Sequence, residues 1–147
     1  MKYIGLDLGS RTLGVAISDE MGILARAYDT LRFRDDDYEK AIEYTIDICK
    51  KEKVSTVVLG LPKHMNNSEG IRVESTMEFK EKLERRLGLE VVMWDERLTT
   101  VAADRTMMEA GIRRENRKEY VDMLAAQFIL QGYLDSLAFK KKQEQEN

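Results

Sequence analysis

Apolar runs separated by polar and turn-forming residues along the first third of the chain predict strands. Tyr3–Leu8 is apolar apart from Asp7 and is closed by Gly9, and Gly14–Ser18 is a second apolar run. After the Met21-Gly22 turn a third run extends from Ile23 to about Phe33. The period then changes. Tyr38, Ala41, Ile42, Thr45, Ile46 and Cys49 form an i, i+3, i+4, i+7 stripe, predicting a helix over residues 36–52 that Asp35, Asp36 and Asp37 are placed to cap. Val54–Gly60 reads as a fourth strand, broken by Pro62. Lys63–Gly70 reads as a mobile loop of turn-forming residues. A charged helix follows to about Leu87, with Gly88 in the C′ position, and Leu89–Trp94 is the fifth strand. Thr99 or Thr100 can cap a short helix ending at Gly111, and Asn116 with Glu119 resembles a capping box opening a last long helix.

The resulting order is β-β-β-α-β-α-β-α-α. A meander followed by βαβ units predicts an α/β fold, a mixed five-stranded sheet with helices on both faces. No repeat or linker divides the pattern. The chain reads as one domain over 1–138, followed by a charged, flexible tail over 139–147 in which Lys140–Asn147 offers no apolar face.

Composition narrows the chemistry. A length of 147 residues suits one domain with a real core. The net charge of −3 argues against broad adhesion to a phosphate polyanion, while leaving room for a local basic groove. Cys49 and His64 are each the single residue of their type, which excludes a disulfide framework and makes zinc a poor fit. Oxygen-ligated Mg2+ or Mn2+ suits the composition better. No run of about 20 apolar residues is present, and Asp7 stands where a secretory signal needs apolar residues, so a cytoplasmic protein without membrane contact is expected.

Three acids then matter. Asp7 interrupts an apolar strand, Glu96 follows Val91-Val92-Met93-Trp94-Asp95, and Asp122 sits in Val121-Asp122-Met123-Leu124-Ala125-Ala126. Burying a carboxylate costs free energy unless a cation or donors compensate it. Individually each has a plainer reading: Asp7 as a turn cap, Glu96 in a surface ion-pair cluster, Asp122 as an acid favoured near a helix N-terminus. Together on one strand, one strand end and one helix, they can converge at one sheet edge and hold two hard cations ~3.5–4 Å apart, which promote in-line displacement at phosphorus.

Gly5-x-Asp7-x-Gly9 with Gly14-Val15-Ala16-x-Ser18-Asp19, Gly60-Leu61-Pro62, Asp95-Glu96-Arg97-Leu98-Thr99-Thr100 and Val121-Asp122-x-x-Ala125-Ala126-x-x-Ile129-Leu130 resemble the YqgF/RuvX family, in its order and over nearly the whole chain. The resemblance implies an RNase H-like fold and a nuclease related to the RuvC Holliday junction resolvases, associated with maturing the 5′ end of the 16S rRNA precursor. It places the catalytic, metal-holding acids on Asp7, Glu96 and Asp122. Two departures stand out. Met65-Asn66-Asn67-Ser68 replaces the usual Met-Asp-Gly-Thr, and Ala125 and Ala126 stand where resolvases carry another acid one turn along the helix.

Arg113-Arg114-Glu115-Asn116-Arg117-Lys118, just before Asp122, together with Lys63, Arg72 and Arg11, would hold a nucleic acid, RNA ahead of DNA. A solvated surface is the plain alternative for this run. Arg97 can tether the carboxylates, and His64 is a weak candidate base. Trp94, Phe128 and the Met107-Met108 pair read as packing. Association with a ribosomal precursor is expected, with the chain a monomer or weak dimer. Three competing readings remain: a junction-resolving DNA endonuclease, a non-catalytic RNA- or protein-binding factor, and a phosphate-binding ATPase. The last rests on Ile4–Ser10, which also looks like the first phosphate motif of the actin-like ATPases.

Overall fold

The computed structural model describes residues 1–35, 37–61, 67–95 and 117–146. Strands β1 (Tyr3–Leu8), β2 (Thr12–Ser18) and β3 (Ala25–Arg32) form the meander. They are followed by α1 (Tyr38–Glu52), β4 (Thr56–Leu61), α2 (Asn67–Leu87), β5 (Glu90–Asp95) and α3 (Arg117–Glu146). The sheet order is β3-β2-β1-β4-β5, antiparallel within the meander and parallel across β1, β4 and β5. This is the mixed five-stranded sheet that the pattern predicts.

Element boundaries shift where side chains compete for backbone groups. β2 begins at Thr12 rather than Gly14, because the Gly9 N–H closes the turn on the Thr12 carbonyl at 2.8 Å. β3 begins at Ala25 rather than Ile23, because the Asp19 carboxylate accepts from the Ile23 and Leu24 N–H groups at 2.8 and 3.3 Å. Asp37 occupies the N-cap of α1 without a side-chain capping bond, and the Asp35 carboxylate is turned to Arg11 instead. Of the three acids expected to cap α1, none is seen to do so among the described residues.

α2 starts at Asn67, inside the segment read as loop, and the remainder of that loop lies outside the described residues, as does the predicted helix over 99–111. α3 remains helical to Glu146, where the pattern suggests a tail. Lys, Gln and Glu are good helix formers, and extending an existing helix avoids the nucleation cost. Residues 138–145 are exposed throughout.

Helices cover both sheet faces. Ile4, Leu6, Leu8, Leu13, Val15, Ile17, Val57, Leu59 and Val91 pack with Ala41, Ile42, Ile48 and Cys49 of α1 and Phe79 and Leu83 of α2. Ile48 extends the predicted α1 stripe, while Ile46 is only half-buried. Tyr3, Ala16, Ala25 and Val58 pack on the other face against Ala126, Ile129, Leu130 and Leu134 of α3.

Candidate carboxylate site

Alternation along β1 divides its side chains between the two layers. Ile4, Leu6 and Leu8 enter the α1/α2 layer, and Tyr3 enters the α3 layer. Gly5 shares the α3 face and lies directly beneath that helix. A Cβ there would stand 2.6 Å from Leu130 Cβ and 2.9 Å from the Ala126 carbonyl oxygen, so only glycine admits the helix this closely. Asp7, two residues on, faces the same layer and is half-buried.

The residues level with Asp7 are small. Gly14 pairs with it across β2, and extending the β1–β4 register one place beyond Leu6↔Leu59 brings Gly60 to its other side. Gly60 is in turn level with Trp94 of β5. The positions directly level with Asp7 on the two neighbouring strands are thus glycines.

α3 runs antiparallel to β1. The Tyr133 ring lies 6.0 Å from that of Tyr3, and Leu130 and Ala126 cover Gly5. Each two-residue step toward the end of β1 thus corresponds to about one turn back along α3. Asp122 belongs to this helix, one turn before Ala126. Glu96 follows Asp95, the last residue of β5, and lies outside the described residues. Because β1, β4 and β5 are parallel, their carboxyl ends open on one edge of the sheet. Of the three acids, the side chain of Asp7 alone is among those described, and among the described residues no three His, Cys, Asp or Glu side chains form a metal-holding group.

The basic candidates divide similarly. Lys63, His64, Arg97, Arg113 and Arg114 lie outside the described residues. Arg72 belongs to α2, and Arg117 and Lys118 to the first turn of α3. Arg11 sits in the β1–β2 turn at the carboxyl edge and is gripped by Asp35 through Nε and, at 3.1 Å, through Nη2. The side chains are 71% and 61% exposed, so this is a surface pair open to exchange. The hydrogen bond and charge of Asp35 raise the Arg11 pKa, and Arg11 lowers that of Asp35. Sequence reasoning assigned Asp35 to helix capping and missed this pairing across 24 residues.

Trp94 packs as expected. Its ring meets Tyr133 edge-on at 5.9 Å, and its Nε1 lies 3.0 Å from where a Cβ on Gly132 would be. Gly132 is thus the seat of the indole, signalled in the sequence by a lone glycine inside a helical pattern. Phe128 is half-buried. Cys49 is buried and its thiol is pushed up to about 12 by desolvation, which leaves it inert as a nucleophile or ligand. Among the described residues no helix is long and apolar enough to cross a membrane.

This architecture is the RNase H-like fold. The fold matches Thermus thermophilus RuvC, solved in complex with a Holliday junction substrate, with a TM-score of 0.60 over 93% of this chain and 96% of that one at 14% identity. A fowlpox virus Holliday junction resolvase aligns with a TM-score of 0.56 over 93% and 99% of the two chains at 15% identity. Within that class, residues 1–136 match the family model RuvX, described as Holliday junction resolvase, and the chain belongs to this family. It is 56% identical over 137 residues, 92% of this chain and 96% of the relative, to a Staphylococcus aureus (strain JH9) protein named "Putative pre-16S rRNA nuclease". The strain N315 protein of the same name matches equally.

Proposed function

We propose that this protein is a divalent-metal-dependent nuclease that processes the 5′ end of the 16S rRNA precursor. The observation that carries the reading is Asp7: a half-buried acid at the carboxyl edge of the central strand, flanked by Gly14 and Gly60 and facing the layer of the helix that bears Asp122. Family membership and the name of the 56%-identical relatives support the class of reaction and the substrate.

An all-carboxylate donor set suits Mg2+ or Mn2+, because hard cations prefer oxygen ligands and retain sites for water and phosphate. Asp7, Glu96 and Asp122 would hold the ions, which when bound supply an activated water and stabilise charge on the leaving oxygen. The chain itself contributes rigidity and grip. β1 holds Asp7 between its antiparallel ladder to β2 and its parallel ladder to β4, the close approach of α3 to Gly5 sets the spacing of helix and strand, and Arg11, Arg117 and Lys118 offer charge to a phosphate backbone. Lys63, Arg72, Arg113 and Arg114 complete the expected basic surface.

The description of the family and the fold of RuvC favour a second reading, cleavage of branched DNA. Ala125 and Ala126 weigh against it. They are 3% and 0% exposed, and the Ala126 carbonyl stands over Gly5, so this turn of α3 is closed by packing where resolvases place a further acid.

Cleavage of precursor rRNA and of a four-way DNA junction, with and without Mg2+ or Mn2+, discriminates the readings. Removing several kcal/mol of charge stabilisation, at about 1.4 kcal/mol per factor of ten, predicts that Asp7→Asn lowers metal-dependent cleavage by about a thousandfold or more. The fold should persist, as judged by an unchanged or higher Tm in metal-free buffer. Full activity in Asp7→Asn sinks the catalytic assignment, and a large fall in Tm makes Asp7 a structural acceptor.

A further inference from the structure

β3 is an outer strand, so the backbone groups at its start have no neighbouring strand on one side. Two glutamines one turn apart on α3 take the place of that strand. Gln131 accepts from the Ala25 N–H at 2.8 Å and donates to the Ile23 carbonyl at 2.9 Å. Gln127 donates to the Ala25 carbonyl at 3.1 Å. Gln131 is itself braced by a bond from its amide to Asp135 at 3.0 Å.

These bonds add orientation to what the apolar packing holds in contact. The contact of Leu130 and Ala126 with Gly5 limits how closely α3 approaches β1. Apolar contact is non-directional, and the hydrogen bonds add a fixed direction and distance to it, along the helix axis and about it. Three bonds from two glutamines to three consecutive peptide units, from the Ile23 carbonyl to the Ala25 carbonyl, define both. The same rigid helix carries Asp122 five residues before Gln127, and a metal constellation tolerates only about 0.5 Å of displacement.

We propose that Gln127 and Gln131 are positioning residues for the carboxylate site, setting the slide and roll of α3 and hence where Asp122 stands relative to Asp7. This inference rests on the metal-dependent reading above. It adds that the geometry of the site is set further along the same helix, against the turn that leads from β2 into β3.

The test is Mn2+ titration of the full chain by calorimetry, beside thermal melts and cleavage kinetics, for Gln127→Met, Gln131→Met and the double variant. Met keeps the volume and removes every bond. Removing groups that orient ligands typically weakens metal binding 10–100-fold, so the double variant should lose at least about tenfold in Mn2+ affinity and in kcat, with KM unchanged. The single variants should rank by the backbone bonds they lose, Gln131→Met falling further than Gln127→Met, and this ranking serves if the double variant does not fold. Ile48→Val, in the opposite layer, is the control: a lower Tm with unchanged Mn2+ affinity. Variants that melt earlier yet bind Mn2+ and turn over within twofold of wild type would overturn the positioning role alone. Wild-type protein that binds no Mn2+, or Asp7→Asn that binds it as tightly as wild type, would overturn the metal reading and this inference with it.

Discussion

The two faces of the sheet are built on opposite terms. Toward α1 and α2 it presents Ile4, Leu6, Leu8, Leu13, Val15, Ile17, Val57, Leu59 and Val91, large side chains filled in by Phe79, Leu83 and Ile42. Toward α3 the same strands present Gly5, Asp7, Gly14, Ala16, Ser18 and Gly60, interrupted by Tyr3, Thr56, Val58 and, on β5, Trp94. Bulk on one face buries apolar area, the main source of stability. Smallness on the other lets a helix backbone approach a strand backbone and leaves room for a carboxylate. One face holds the fold together, and the other sets distances.

That division predicts opposite responses to substitution. Leu6→Ala removes a fully buried side chain from the bulky face and should cost about 2–5 kcal/mol. Urea unfolding would show a lower midpoint at unchanged slope, while cleavage per folded molecule stays near wild type. Gly5→Ala on the opposite face should cost less, about 1–3 kcal/mol, since one methyl must be accommodated against Leu130 and Ala126. Its activity should nevertheless fall by an order of magnitude or more, because α3 is displaced, and misplacements of about 1 Å can cost ~100-fold. Leu6→Ala losing activity per folded molecule, or Gly5→Ala keeping it, breaks the comparison.

The same contrast governs what could be read from the sequence. The bulky face is legible because apolar runs and the α1 stripe are local signals, and the five strands follow from them in chain order. Asp7 is legible for the converse reason, as a charge in an apolar strand. What escapes local pattern is any partner far along the chain. The Arg11–Asp35 fork spans 24 residues, and Gln131 reaches Ala25 across 106. The start of β3 is set by the Asp19 carboxylate capturing two N–H groups that an apolar pattern assigns to a strand. Gly5 is visible as a glycine, yet the turn of helix that requires it, at Ala126 and Leu130, lies near the other end of the chain. Of the acids, Asp7 can be followed to its place in the fold, and Asp122 to its helix.

A smaller effect sharpens the dryness of the α1/α2 face. Desolvation raises the Cys49 pKa to about 12, well above the ~8.5 of an exposed thiol. The native state therefore keeps a proton that the unfolded chain releases. Its contribution is complete below about pH 8.5 and is lost as pH rises toward 12, at no more than about 1.4 kcal/mol per unit. Tyr44 and Tyr133 are also raised, but from a higher starting point, so the window between pH 8.5 and 9.5 belongs chiefly to the thiol. Unfolding free energies across that window should fall for wild type and stay flat for Cys49→Ala. A flat wild-type profile would mean that water reaches α1.

The smallest effects are expected at the rim, where Arg11 and Asp35 meet in solvent and neither layer is involved. An ion pair this exposed is screened by salt and offset by the entropy of holding two side chains, so Asp35→Asn should leave the Tm unchanged. Its consequence should be for nucleic acid. A guanidinium fork that fits one carboxylate also fits a phosphate, and Asp35 competes for it. Removing that competitor should tighten binding at low salt to any sequence alike, because phosphate contacts position without reading. Arg11→Ala should do the reverse and flatten the dependence of log affinity on log salt by ~0.7–0.9, one contact's worth. Measured by titration across a salt series, opposite shifts in the two variants place the backbone path over the β1–β2 turn at the carboxyl edge of the sheet. Identical slopes in both variants and wild type would make the fork a fastening of the turn to the segment after β3, and the phosphates would then run over the other basic candidates.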